Sequence, residues 1–187
     1  MNDPAPTLAG WDPARQQHVF RCLMEAFAYP GRVLALASGP GEAARLALAT
    51  LVDAGVSLAD PHDLLGPLDW LRLEATPVPP EQADFILCSG RIPPGFQPRL
   101  GSLENPEQSA TVLVRVERLG SGQALELAGP GIQDTQELRV AGLAPEWWSR
   151  RDAWVAAFPM GIDLLLVDGE RAAALPRTTR VVVQGGR

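Results

Sequence analysis

The sequence predicts an α/β domain of three layers, α/β/α, with a mixed sheet in the middle. Three observations carry this. Stretches of helical periodicity interleave with short apolar runs of strand length. At least two strand pairs read as antiparallel hairpins. One of those pairs is apolar on both faces, so something must cover each side. That pair is Ile162–Val167 and Arg171–Leu175, the first broken only by Asp163, with Asp168-Gly169 following it. An Asp-Gly between two apolar runs predicts a two-residue type I′ turn with positive φ at both positions.

The elements follow in order. Residues 1–10 read as a lead-in to the domain, which spans 1–187 without an internal linker or repeat. Asp12-Pro13 supplies an N-cap carboxylate and a proline at the first helical position, predicting a helix over 13–28 that Tyr29-Pro30-Gly31 stops. Phe20, Leu23, Met24 and Phe27 share one face of it and are expected in the core. A strand is predicted over 32–37, ended by Ser38-Gly39-Pro40-Gly41. A second helix is predicted over 42–54, with Gly55 as its stop, and then a strand over 56–59. Asp60-Pro61 is expected to cap a short helix through Leu65, with another at 68–74. The next strand is 84–88, and 92–103 is a Pro- and Gly-rich loop. Residues 110–119 and 123–128 read as a hairpin turned by Gly120-Ser121-Gly122, with a further strand at 138–143. The last helix is predicted over 145–158, with Trp147, Arg151, Trp154, Val155 and Phe158 near one side, before the closing hairpin.

Composition excludes several classes. With 187 residues, 46% hydrophobic and 20% charged, the chain has the make-up of an ordinary globular domain. No apolar run approaches the roughly 20 residues of a membrane span, and the N-terminus lacks the pattern of a signal peptide, so the expected location is the cytoplasm. The net charge of −6 argues against nucleic acid as a partner. All 16 basic residues are arginine. Without lysine there can be no internal Schiff base, no P-loop lysine and no lysine base. Two cysteines, Cys22 and Cys88, make no disulfide framework and are expected as reduced thiols.

The candidate chemistry is thin. His18, Cys22 and Glu25 share a helix side, but His62 and Cys88 are the only other soft donors and stand at no diagnostic spacing. No metal site is expected. Gly39-Pro40-Gly41 and Gly129-Pro130-Gly131 read as tight turns rather than phosphate loops. Asp163, inside an apolar strand, needs a partner such as Arg177 or Arg21. Arg177, Thr178, Thr179 and Arg180 form the best anion-binding cluster, because arginine forks match phosphate and phosphonate oxygens and hydroxyls add donors. Arg177, Thr178, Thr179, Asp163 and Arg21 are therefore the candidate ligand-binding residues. No Ser/His/Asp motif, HExxH or carboxylate pair marks an enzyme.

Several segments together resemble one family. They are His18-x-Phe20-Arg21-x-Leu23-Met24 with Tyr29-Pro30-Gly31, and Thr50-Leu51-Val52-Asp53-Ala54. Then come Gly101-Ser102 with Pro106-Glu107-x-x-Ala110-Thr111, and Leu125-x-Leu127-x-Gly129-Pro130-Gly131-Ile132. Last are Phe158-Pro159-Met160-Gly161-Ile162-Asp163-Leu164 and Leu175-Pro176-Arg177-Thr178-Thr179. In this order they resemble the PhnH family of the bacterial carbon–phosphorus lyase system for phosphonate degradation, over about residues 10–183. The resemblance implies a fold related to the pyridoxal-phosphate-dependent transferases but without cofactor, in a homodimer. It implies partnership with the carbon–phosphorus lyase subunits G, I, J and L, and an accessory role when the ribose triphosphate of ATP is moved onto an alkylphosphonate with loss of adenine. It transfers no catalytic residue. A phosphonate or nucleotide is the ligand it suggests. A stand-alone small-anion binding protein or enzyme is the rival expectation.

Overall fold

The computed structural model describes residues 12–37, 39 and 41–185. In chain order its elements are α1 (Pro13–Ala28), β1 (Leu34–Ala35), α2 (Ala43–Leu51), β2 (Ser57–Ala59), α3 (Pro67–Leu73), β3 (Thr76–Pro77), β4 (Phe85–Ser89) and β5 (Thr111–Arg115). They continue with β6 (Arg118–Ala128), β7 (Gln136–Ala141), α4 (Glu146–Val155), β8 (Asp163–Val167), β9 (Arg171–Leu175) and β10 (Arg180–Val183). The expected lead-in over 1–10 falls outside the described residues, as do Ser38 and Pro40 of the first glycine-rich turn.

Seven strands form one mixed sheet in the order β1-β9-β8-β5-β4-β2-β3, in which β9 alone runs against its neighbours. Three strands form a separate antiparallel sheet, β10-β6-β7. Along β4, β5 and β8 successive side chains enter two different cores. Leu87, Leu113 and Leu165 pack with α1, α2 and Leu73 of α3. Ile86, Cys88, Val112, Val114, Leu164 and Leu166 pack with the tryptophans of α4 and the inward side of the small sheet. The mixed sheet is thus covered on both faces, as expected, but its second cover is α4 together with β6, β7 and β10.

That second cover corrects the largest sequence expectation, the pairing of 110–119 with 123–128 as a hairpin. Instead β5 lies in the large sheet between β4 and β8, and β6 is one eleven-residue strand of the small sheet. Gly120-Ser121-Gly122 is a bulge inside β6: Leu119 and Gln123 both face Val140 of β7. Gly122 has φ +89°, and a Cβ there would sit 2.5 Å from the Val140 carbonyl oxygen. From sequence, a bulge between two apolar stretches is indistinguishable from a turn.

On α1, the Asp12 carboxylate accepts the Arg15 N–H, as predicted. The buried face is turned from the expected one: of the four residues expected in the core, Leu23 is buried and Phe27 packs against it partly buried. Val19, Leu23 and Ala26 point inward, while Phe20 and Met24 are 49% and 57% exposed. The reason is close approach. The helix lies against Ala43, Ala44 and Ala47 of α2 and Ala172 and Ala174 of β9, a surface that accepts small side chains facing it and excludes bulky ones. At the other end of the chain α4 stops at Val155 and leaves Phe158 67% exposed, against the expectation that it continues the apolar side. The shorter α2 has a local cause as well: the Asp53 carboxylate accepts the Gly55 N–H and closes a turn where the sequence predicts more helix. Asp60 likewise caps no helix; its carboxylate accepts the Leu65 N–H at 2.7 Å across a turn. Arg32–Ala37 is mostly irregular, with two residues paired to β9.

The loop 92–103 is held by α4. Trp147 and Trp154 donate their indole N–H groups to the Ile92 carbonyl and the Gln97 side chain, and Phe96 stacks on Trp154 at 5.8 Å between ring centres.

The closing hairpin forms in the expected place, but not by a type I′ turn. Neither Asp168 nor Gly169 takes positive φ. Asp168 instead accepts the N–H groups of Glu170 and Arg171 on its carboxylate, at 3.0 and 2.8 Å. Its other oxygen accepts the Leu119 N–H of β6 and the Arg171 guanidinium, which also donates to the Leu119 carbonyl. The tip carbonyls are used too. Gly169 accepts from Glu42 and Ala43 at the start of α2, which has no side-chain cap, and Glu170 accepts from Leu36 and Ala37.

Two outcomes test this account. Gly122→Ala, forced into a left-handed conformation against a carbonyl, should lose about 2–3 kcal/mol of stability, measured as a denaturant midpoint at unchanged slope. Burial pushes the Asp168 carboxyl up, but the hydrogen bonds it accepts from Leu119, Glu170 and Arg171 outweigh that and hold it below its ordinary value. Its stabilisation is therefore present above the unfolded value of about 3.9 and is lost as pH falls through the lower folded value. Asp168→Asn should melt lower than wild type at neutral pH, with the gap closing as pH is taken from about 5 to 2. A constant gap would rule out this account.

Candidate functional site

Asp163 opens β8 and Leu175 ends β9, so the residues after Leu175 return beside Asp163. Pro176 to Thr179 is a turn closed by the Thr179 N–H donating to the Pro176 carbonyl. This places Arg177 against Asp163. The Asp163 carboxylate accepts the Arg177 backbone N–H at 2.7 Å and both Nε and Nη2 of its guanidinium, in a forked ion pair. The remaining donors are also engaged, Nη1 with the Pro106 and Pro159 carbonyls and Nη2 with the Ser109 hydroxyl. The pair expected from sequence forms, and every nitrogen of Arg177 that it leaves over is bonded to the protein.

The remaining candidates fall in different places. Thr178 is exposed beside Arg180, whereas Thr179 is 1% exposed. Arg21 is exposed on α1, in the helical layer across the mixed sheet from α4, and one chain does not bring it to the cluster. The structure adds one residue to the cluster. Arg151 of α4 is 1% exposed, and its Nη2 donates to the carbonyls of Pro176 and Thr179, each at 2.8 Å. Burial lowers the pKa of its guanidinium against the pull of the Asp152 and Asp163 carboxylates. The signal for it is present in the sequence: an arginine in step with Trp147 and Trp154 on an apolar helix side must be buried. Arg151, Asp152, Val155 and the segment Arg177–Val182 line a groove of about 440 Å³ between α4 and β10.

The other donors are not gathered. On α1, Cys22 Sγ lies 3.6 Å from His18 Nε2, and burial and the Glu25 carboxylate both raise its thiol pKa, which disfavours the thiolate. Cys88 is buried with its thiol pushed well above the ordinary value and directed to the Leu113 carbonyl. Next to it in sequence, the Ser89 N–H donates to Nδ1 of His62. Both cysteines are free, and among the described residues no group of three His, Cys, Asp or Glu could hold a metal ion. Gly131 of the second Gly-Pro-Gly is a tight turn with φ +82°, its backbone packed against the Ala28 carbonyl. Among the described residues no helix is long and apolar enough to cross a membrane.

Removing the Asp163 carboxylate leaves a mostly buried guanidinium without its counter-charge, so Asp163→Ala should cost about 3 kcal/mol, read from equilibrium denaturation. A double-mutant cycle with Arg177→Met should return a coupling of about 1–3 kcal/mol, and additivity would break the clasp assignment.

Comparison with known proteins gives the cluster its setting. The family described as bacterial phosphonate metabolism protein (PhnH) matches residues 9–182. A relative from Stutzerimonas stutzeri, described as the putative C-P lyase subunit protein HtxG, is 51% identical over 175 residues, covering 94% of this chain and 90% of the relative. Another, from Rhizobium meliloti (strain 1021), is named alpha-D-ribose 1-methylphosphonate 5-triphosphate synthase subunit PhnH. It is 35% identical over 178 residues, covering 88% of this chain and 89% of the relative. Matched over nearly its whole length, the chain belongs to the PhnH family of bacterial phosphonate metabolism proteins.

Proposed function

We propose that this chain is an accessory, non-catalytic subunit of a carbon–phosphorus lyase complex. It works with subunits G, I and L when the ribose triphosphate of ATP is moved onto an alkylphosphonate, and joins G, I and J in the core assembly. The observation that carries this reading is the match over most of the chain to a putative C-P lyase subunit, 51% identical, and to a subunit of alpha-D-ribose 1-methylphosphonate 5-triphosphate synthase. The non-catalytic part is supported by the chemistry of the polar centres. Asp163, Asp168 and Asp84 each hold an arginine and nearby hydrogen-bond donors of the protein, and both thiols have raised pKa values. A docking role is supported by large apolar side chains on the outside of the helical layer: Phe20 and Met24 on α1, and Leu68 and Leu71 on α3. In this reading the protein forms a homodimer in the cytoplasm, needs no cofactor, and keeps a relationship of fold to the pyridoxal-phosphate-dependent transferases.

Co-expression with its neighbouring subunits, followed by affinity purification and sizing with light scattering, tests the reading. The chain should co-purify in fixed stoichiometry, and alone should run at twice its 20.0 kDa mass. Failure to co-purify, combined with turnover of a small phosphonate or phosphate ester by the purified chain alone, would favour a stand-alone enzyme.

A further inference from the structure

Arg151 breaks the pattern set by the other arginines held inside the structure. Arg99, Arg171 and Arg177 each pair with an aspartate. Arg151 is more buried than any of them and has no carboxylate within ion-pairing distance among the described residues, although Asp152 is its neighbour in the chain. The Pro176 and Thr179 carbonyls engage Nη2 alone, and Nε is buried without an acceptor. A second unpartnered group lies in the same place. Thr179 is also 1% exposed, and its hydroxyl has no hydrogen-bond partner. Both residues line the groove between α4 and β10, with Thr178 and Arg180 on its exposed side. Asp152 and Asp163 act on the Arg151 guanidinium only from beyond ion-pairing distance. Leaving it out of water without a directly bonded carboxylate is costly, and a buried hydroxyl without a partner adds to that cost. In a chain of net charge −6, this groove gathers Arg151, Arg180 and Arg177, the last already paired with Asp163, against Asp152.

We infer that the groove binds a tetrahedral oxyanion, a phosphoryl or phosphonyl group, as the counter-charge of Arg151. The Thr179 and Thr178 hydroxyls and the Arg180 guanidinium supply further donors. Arginine forks and hydroxyls are the donor set such groups favour. Arg177 adds neither a free donor nor net charge, since Asp163 neutralises its guanidinium and Ser109 and two carbonyls engage what remains. The oxyanion itself follows from the groove; the preference for a phosphonate over other oxyanions rests on the subunit reading above.

Calorimetric titration of the full chain at low salt with inorganic phosphate, methylphosphonate and ATP, each alone, tests this. At least one should bind saturably. Binding of methylphosphonate would identify a phosphonyl source, and binding of ATP alone a nucleotide triphosphate. Thr179→Val should weaken that binding about tenfold or more, because a hydroxyl bonded to a charged ligand is lost. The same variant without ligand should melt no lower than wild type, because a methyl replaces an unpartnered hydroxyl. Arg180→Gln, altered at an exposed position that leaves the core intact, should weaken binding several-fold and reduce its salt dependence. Absence of binding by all three anions would overturn the inference, as would unchanged affinity in both variants. If the chain still co-purifies with its neighbouring subunits in that case, the groove assignment falls and the subunit reading stands.

Discussion

The β8–β9 hairpin is buried on both faces, and that one constraint shapes much of what surrounds it. A strand pair with no wet side can place charge only at its two ends, and this one places an aspartate and an arginine at each. At one end Asp168 and Arg171 close the turn and reach across to Leu119, fixing where the small sheet meets the large one. At the other end Asp163 and Arg177 gather Pro106, Ser109 and Pro159, fixing the long loop before β5 and the entry from α4. Each clasp satisfies its own charge in a forked geometry and ties irregular backbone to the most rigid part of the molecule. A third clasp, Asp84 with Arg99, ties the start of β4 to the same long loop, and Asp84 also accepts the Ser57 N–H and hydroxyl at the start of β2.

What can be read from the sequence depends on whether the signal is local. Asp12-Pro13 sets the start of α1 because a cap and a proline act within one turn. The apolar runs of β4 and β8 are plain because both faces of a central strand are dry. The burial of α1 is not legible, for a non-local reason: hydrophobicity favours Phe20 and Met24, but the alanine surfaces of α2 and β9 admit only the face carrying Val19 and Ala26. The pairing of β6 is hidden because Gly120-Ser121-Gly122 has the chemistry of a turn, and only the partner strand β7 shows it to be a bulge. The Asp-Gly signal finds the right hairpin for a different reason, with the aspartate side chain rather than positive φ shaping the turn.

The candidate site shows the same division. Asp163 inside an apolar run demands an arginine, and Arg177 supplies it. The sequence does not tell that this bond, together with three other acceptors, engages the guanidinium completely. Nor does it show that Arg151, on the helix before the hairpin, is folded in beneath Pro176 and Thr179. An absence of lysine throughout the chain means that each of these roles falls to a residue that keeps its charge at any physiological pH.

The ends of the seven-stranded sheet carry a consequence of their own. Its outermost strands, β1 and β3, are two residues each, and β3 ends in Pro77, which has no N–H to offer a neighbouring chain. The sheet is thereby guarded against growing sideways into a continuous ribbon with another copy or with an unfolded chain. A protein with apolar helical surface on display, Phe20, Met24, Leu68 and Leu71 among it, gains from having its most adhesive backbone kept short at both margins.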